Sequence, residues 1–540
     1  MTSDGSPADR LWWWSADEPR PPASRPRRRW TRRGRVDAVA CLALSVLWFS
    51  PACREILYVA DRDFYNRVPL GAPTLAALVL NIVALAAVSF LGVQTLRRVR
   101  RPAWRRVGAV AVAAGTLVTL NSARITYETV GRWASPLGGP GLVAIVVLVL
   151  GTALGWPRQA LRAMRRLALI VSPVAFVMLA GVLWMFLEAA AGPQWRRVDP
   201  APIKQTPPSL RRVVWVVLAE LDQRVTFEAR PAGLELPELD RLRRESVYAD
   251  DARPPAGTTE VAMPALITGR PVVAVAPLGP NDLELTFADG KSAHWGAETN
   301  VFTRARTLGY DTALIGSHLP YPRVLGGSLG VADWRPSAGH DVARGDTFGE
   351  SLEGPWASLA PPVNRRRLSF RRFEELGDLA LRTAADERFG LVLLHLPIPQ
   401  TPGIYDRAAG HLTPWNFTGA EGGYLDNLAL ADRMLTHLRR DLERSRLGDR
   451  TWLVVTADRW RQTSKPHDAP VDHRVPFLVR PPDGSRATHV DMAFNTLATH
   501  DLVLAILRGS VGDNAAAAAW LARRPVAPPR AYTSQGRPVY

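Results

Sequence analysis

Hydrophobic patterning divides the chain into two regimes near residue 191. Before it, long apolar runs alternate with clusters of arginine; after it, short apolar runs alternate with amphipathic stretches in mixed sequence. Five early runs approach the roughly 20 apolar residues a helix needs to cross a bilayer. They cover about residues 36–59, 70–93, 107–123, 141–156 and 167–191. Pro51 and Arg54 interrupt the first, and the fourth is short. The second carries no charge and the fifth only Glu188 near its end, so a membrane span outweighs a buried core helix for both. None has the setting of a cleavable signal peptide, because the first lies behind a basic tail and further spans follow it.

The charges between the runs set an expected orientation. Nine arginines lie in the tail 1–35; Arg97, Arg98, Arg100, Arg101, Arg105 and Arg106 follow the second run; Arg158, Arg162, Arg165 and Arg166 follow the fourth. The alternate connections hold only Arg62 and Arg67, and Arg124 and Arg132. Lys and Arg are retained on the cytoplasmic side. The tail is therefore expected inside, and five crossings leave the chain outside after about residue 191, as a multi-pass protein of the cytoplasmic (inner) membrane. These nineteen arginines also account for the net charge of +17. A nucleic-acid partner is not needed to explain it, and contact with anionic headgroups is a generic expectation for such segments. Trp12, Trp13 and Trp14 read equally as an interface anchor or as part of a disordered tail.

A proline-rich linker (192–208) leads into a domain expected over 209–523, followed by a Pro/Arg-rich tail, 524–540, expected to be disordered. Short continuous apolar runs at 213–218, 312–315, 391–394, 452–455 and 477–479 suggest strands buried on both faces. Helical patterns lie between them, as at 236–246 and 424–442. The alternation predicts an α/β domain with a mostly parallel central sheet. Residues 283–287 and 292–295, joined through Asp289-Gly290, predict a β-hairpin. Cys41 and Cys53 both fall in or near the first run, so the domain has no cysteine for a disulfide or a metal site.

Ligands of such sheets sit at the carboxyl ends of the strands. Past 213–218 come Ala219, Glu220 and Asp222; past 391–394 come His395, Pro397, Pro399 and Gln400; past 452–455 come Thr456, Ala457, Asp458 and Arg459. His473 precedes the last strand in Asp472-His473-Arg474-Val475-Pro476. Thr258-Thr259 stands ahead of Leu266-Ile267-Thr268-Gly269. Taken singly, Asp458 reads as a turn or cap residue, His473 and His395 as ordinary histidines, and the threonines as loop.

Taken in order, these residues resemble the alkaline phosphatase and sulfatase superfamily. The closer resemblance is to membrane-anchored sulfatase-like proteins with the multi-span architecture of lipoteichoic acid synthases. The resemblance runs over about residues 213–481, half of the chain. It implies an α-helical transmembrane bundle of about five spans followed by an alkaline-phosphatase/sulfatase-like α/β domain. It places Thr259, or its neighbour Thr258, at the nucleophile position, and Asp458 and His473 at ligand positions. In the family these groups hold divalent cations that polarise a phosphate or sulfate ester and activate the nucleophile. Three further ligand positions have changed: the first-strand Asp falls at Ala219, a His at Gln400, and the His after Asp458 at Arg459. Alanine cannot ligate, a glutamine amide is a poor ligand beside imidazole, and a fixed arginine charge competes with a cation for Asp458. With Glu220 supplying the missing acid, Glu220, Asp458 and His473 make at most one weak residual metal site.

The expected reading is a catalytically degenerate sulfatase-like domain. It has no cofactor and serves binding or assembly at the cell envelope, with Arg459 filling the vacated site as an ion pair with Asp458. Its partners are the bilayer and an envelope glycan, lipid or protein. The alternative is an active phosphoric or sulfuric ester hydrolase, or a phosphoglycerol-type transferase, using Thr259 and a divalent cation (Mn, Zn or Ca). A transporter is disfavoured because the spans lack an intramembrane charge cluster.

Overall fold

The computed structural model describes residues 32–57, 63–126, 138–189, 198–204, 207, 211–339, 344–345, 347–463, 471–482 and 487–523. The first part of the tail with Trp12–Trp14, most of the linker, and 524–540 lie outside the described residues.

The first apolar run forms two helices, α1 (Arg32–Trp48) and α2 (Ser50–Leu57), bent by 66° at the break between them. Pro51 sits at the start of α2, where its ring and missing N–H disfavour continuation of the preceding helix. The other runs form α3 (Ala72–Arg98), α4 (Pro102–Thr126), α5 (Gly138–Gly155) and α6 (Pro157–Ala189). Among the described residues four helices are long and apolar enough to cross a membrane, or five if the bent pair counts as one span. Val88, Val147, Leu148, Ile170 and Val177 point outward and are exposed. Such a surface is costly in water and natural against lipid. Inside the bundle, Ser50 Oγ bonds Thr126 Oγ1 at 2.9 Å, and Arg54 donates to the Thr126 carbonyl. Asp37 is buried and paired with Arg97.

The α/β domain is built on a nine-stranded sheet among the described residues. Its longer strands are β1 (Arg212–Ala219), β2 (Val247–Arg253), β3 (Thr312–Ser317), β4 (Val331–Arg335), β5 (Leu391–Pro399), β6 (Thr451–Ala457), β7 (Val475–Arg480) and β8 (Thr488–Val490). The order is β8-β2-β7-β6-β1-β5-β3-β4, with Phe494–Asn495 also pairing β2. Only β7 runs antiparallel to its neighbours, so the sheet is mostly parallel. Every residue of β1 is buried. Val213, Trp215 and Val217 join the core on one face, and Val214, Val216 and Leu218 the core on the other. A strand covered on both faces has no use for polar alternation, hence its continuous apolar run. The covering helices include α7 (Pro237–Glu245), α8 (Thr259–Thr268), α10 (Pro361–Ala384) and α11 (Gly419–Arg444), while α9 (Phe348–Ala357) packs elsewhere. The expected hairpin forms from Leu283–Phe287 and Ser292–His294, extended by Val272–Pro277.

One element of the α/β domain reaches into the bundle. Helix α9 starts with a capping box, Thr347 accepting from the Glu350 N–H and Glu350 from the Thr347 N–H, each at 3.2 Å. It packs against α3. Trp356 Nε1 donates to Asn81 Oδ1 at 2.9 Å, while Asn81 Nδ2 donates to the Leu352 carbonyl at 3.0 Å. The Trp356 ring meets Phe49 edge-on at 5.0 Å. An asparagine within a hydrophobic helix is thereby satisfied by the domain that the bundle carries.

Candidate active site

The sheet register gathers the sequence candidates. In β1 and β6, Leu218 pairs Ala457; in β1 and β5, Val217 pairs His395; in β3 and β5, Gly316 pairs His395. Four parallel strands therefore deliver Ala219 and Glu220, Asp458 and Arg459, His395, and Ser317 and His318 to one sheet edge. Helix α8 adds Thr259 as its first residue and Thr258 as its N-cap. The helix ends at Gly269, whose φ is +71° and where a Cβ would lie 2.5 Å from the His500 ring; this is the physical demand behind the Thr268-Gly269 ending. A cavity of about 430 Å³ opens there, lined by Ala219, Thr258, Thr259, His395, Gln400 and Arg459 among others.

Asp458 is the centre of the arrangement and is fully buried. Its Oδ2 accepts from the Thr259 hydroxyl. Its Oδ1 accepts from the Arg459 N–H at 2.8 Å and the Glu220 N–H at 3.2 Å. His395 Nε2 stands 3.8 Å from Oδ2, and His395 Nδ1 bonds the Tyr321 hydroxyl at 2.8 Å. Burial alone would raise the Asp458 carboxyl, but His395, the Arg459 charge and the Thr259 hydroxyl hold it below the usual carboxylate range.

Arg459 has a different principal partner from the expected one. Its guanidinium pairs with Glu220 at 2.7 Å, and its Nε lies 3.9 Å from Asp458 Oδ2. The reason is backbone geometry: Glu220 follows β1 with φ +63°, a left-handed conformation that turns its side chain toward the adjacent strand end. Burial, with the Asp458 charge nearby, pushes the Glu220 carboxyl up despite Arg459. Tyr424 fixes the turn: its hydroxyl donates to the Glu220 carbonyl at 2.9 Å and accepts from the Asp222 N–H at 3.1 Å.

The donor set does not fit a divalent cation. Both oxygens of Asp458 are engaged, Glu220 holds a guanidinium, and Ala219 and Gln400 occupy the adjoining wall, with the Gln400 N–H donating to the Ala219 carbonyl at 3.1 Å. His473 is not among the cavity-lining residues; its ring meets Trp460 edge-on at 4.5 Å. Among the described residues no group of three or more His, Cys, Asp or Glu side chains is placed to hold a metal ion.

The cavity is instead rich in donors. Thr258 Oγ1, His395 Nε2 and Arg459 Nε are buried without a hydrogen bond among the described residues, the last two facing Asp458 Oδ2 at 3.8 and 3.9 Å. Arg335, Arg365, Arg372 and His318 line the outer wall with Ser317, Ser337 and Ser369. Among the described residues Glu260 is the one acidic lining residue, and it pairs with His318 at 2.7 Å. Sequence reasoning missed this outer wall. His318 follows the strand at 312–317 directly, with φ +74°, so the inspection of strand ends that found Asp458 would have found it. Arg335 ends β4, which carries no continuous apolar run, and offered no such signal.

No family model and no curated protein matches the chain. Solved structures do. They include sulfatases, phosphonate monoester hydrolases and a protein of the alkaline phosphatase superfamily. The PsFucS1 sulfatase from Pseudoalteromonas sp. matches at 14% identity and TM-score 0.40, covering 55% of this chain and 67% of its own. The phosphonate monoester hydrolase of Agrobacterium radiobacter matches at 13% and 0.35, covering 55% and 74%. The alkaline phosphatase superfamily protein from Vibrio parahaemolyticus matches at 14% and 0.38, covering 61% and 72%. These likenesses carry no inference about the site, whose chemistry follows from its own geometry.

Proposed function

We propose that this chain is a membrane-anchored, catalytically degenerate sulfatase-like protein. Its extracytoplasmic domain binds an anionic group, a phosphate or sulfate ester on an envelope glycan or lipid, without hydrolysing it. The observation that carries the reading is Arg459: its guanidinium holds Glu220 and stands beside Asp458, so a fixed cation of the protein takes the place a divalent cation would need. An arginine attracts the same ester anion through planar N–H donors, but it cannot lower the pKa of a hydroxyl as a bound metal does. The buried donors of Thr258, His395 and Arg459 and the arginines of the outer wall suit such an anion. The α9 contact with the bundle keeps the domain close to the bilayer.

A second reading has one observation behind it. The Thr259 hydroxyl donates to Asp458, the contact a nucleophile makes with a general base. That base is weak, because Asp458 is held below the usual carboxylate range.

The test is calorimetric titration of the full-length protein with sulfated and phosphorylated oligosaccharides and with glycerophosphate, alongside sulfatase, phosphatase and phosphodiesterase assays. Binding without turnover, lost in Arg459→Ala, supports the proposal. Turnover that requires Thr259 overturns it in favour of the second reading.

A further inference from the structure

A second cavity, of about 620 Å³, lies at the end of the helical bundle away from the α/β domain. It is formed where α1, α4 and α6 begin and α3 ends, so the N-terminal dipole ends of three helices meet there. Its polar wall carries Arg33 of α1, Arg97 of α3, Arg100 of the connection and Arg105 of α4. Helix α6 adds Arg158, Arg162 and Arg165. Its apolar wall includes Leu96, Val112, Leu161 and Met164.

Among the described residues seven guanidinium groups face this space with one carboxylate, Asp37. Asp37 is already committed: Arg97 donates to its Oδ1 at 2.6 Å, Gln94 to its Oδ2 at 3.4 Å, and Arg165 lies 4.0 Å away. Among the described residues Arg33, Arg100 and Arg158 have no carboxylate partner, and the remaining bonds of Arg105 and Arg162 are to neighbouring carbonyls at 3.3 Å. Arginine stays charged at any relevant pH. Retention of arginine on one side of a membrane explains why these residues occur at this end, but not why seven converge on a cavity between helices. Convergent like charge beside an apolar wall attracts an anion between the groups. Helix α3 spans 27 residues, about 40 Å at 1.5 Å per residue, against a hydrocarbon core of about 30 Å. Its last turn, with Arg97, therefore falls at headgroup depth.

We propose that this cavity is a binding site for an anionic phospholipid. The arginines hold the phosphate-bearing headgroup, and the acyl chains leave along the Leu96, Val112 and Leu161 wall. The site is distinct from the cavity at the sheet edge and does not depend on what that cavity binds.

The test uses the full-length protein in detergent and in nanodiscs. Thermal stability and native mass spectrometry are read on addition of phosphatidylglycerol, of phosphatidylcholine, and of inorganic phosphate alone. Phosphatidylglycerol is expected to stabilise the protein and to be retained on it, and phosphatidylcholine to do neither. Combined Arg100→Gln, Arg158→Gln and Arg162→Gln should weaken phosphatidylglycerol retention roughly 100-fold, from a factor of about five for each basic contact. Equal responses to the two lipids overturn the proposal. Stabilisation by inorganic phosphate at the same strength overturns the lipid assignment in favour of a soluble anion. Should the triple variant not fold, the comparison of lipids on the unmodified protein still decides the question.

Discussion

Removal of the Arg459 guanidinium should convert the sheet-edge site from a self-neutralised cluster into one that needs a cation. In Arg459→Ala, Glu220 loses the partner it holds at 2.7 Å and Asp458 loses a charge 3.9 Å away. Both carboxylates are largely or fully buried, with side-chain exposures of 13% and 0%. Stripping one partner from a buried pair costs about 3–5 kcal/mol, and a charge pair at 4 Å is worth about 4 kcal/mol at an effective dielectric constant of 20. A loss of about 3 kcal/mol is expected, because Glu220 is pushed toward its neutral form and sheds part of the penalty. The two carboxylates then recruit a divalent cation: at a hundredfold excess over its dissociation constant a bound ion returns about 2.7 kcal/mol. The assay is thermal unfolding of the detergent-solubilised full-length protein with and without Mn²⁺, for the unmodified chain, Arg459→Ala, and Arg459→Ala with Glu220→Gln. The single variant should melt lower and recover with Mn²⁺; the double variant should recover less. An Arg459→Ala protein as stable as the parent, or one destabilised with no response to Mn²⁺, would exclude this charge balance.

Three further outcomes are expected. Ala219→Asp, Gln400→His and Arg459→His combined should create divalent-cation binding visible by calorimetry, since all three positions line one cavity; no binding by a folded variant would mean the cavity does not match the metal site that the sequence resemblance implies. Asn81→Leu should loosen α9 from α3 by about 1 kcal/mol, since it removes two hydrogen bonds and those made by membrane helices average about 0.6 kcal/mol each. Faster hydrogen exchange in Phe348–Ala357 would report it, and unchanged exchange would count against the contact. Burial alone would raise Glu260, but the hydrogen bond and charge of His318 bring it down from 4.5 to about 2. The ionised Glu260 therefore contributes stability that is fully present above pH 4.5 and lost as pH falls toward 2. His318→Gln should move acid unfolding to higher pH, and an unmoved midpoint would exclude that role.

Where one physical demand dominates a segment, the sequence was legible. The runs of α3 and α6 have a single solvent requirement, and β1, β3, β5, β6 and β7 are covered on both faces, so composition alone marks them. The break in the first run was visible as Pro51, although its 66° angle was not. The positions Thr258, Thr259, Ala219, Gln400 and Arg459 do converge on one cavity, because parallel strands place their ends on a common edge. What pairs with what was less legible. The expected Arg459–Asp458 pair forms at 3.9 Å, but the closer Arg459–Glu220 pair was not foreseen, because the left-handed turn at Glu220 is a backbone fact with no glycine to announce it. His473 takes a place against Trp460 that its Val-Pro context did not reveal. The α9 contact with Asn81 joins residues 275 apart and has no local signature in either segment.

The proposed function requires the sheet-edge site to work without a metal ion. Its most direct test is the metal content of the purified full-length protein after equilibration with Mn²⁺, Zn²⁺ and Ca²⁺ and removal of the excess, measured beside Asp458→Ala. Retention far below one equivalent, equal in the two proteins, is the predicted result. Near-stoichiometric retention by the unmodified protein, lost in Asp458→Ala, would contradict it and return the site to metal-dependent chemistry.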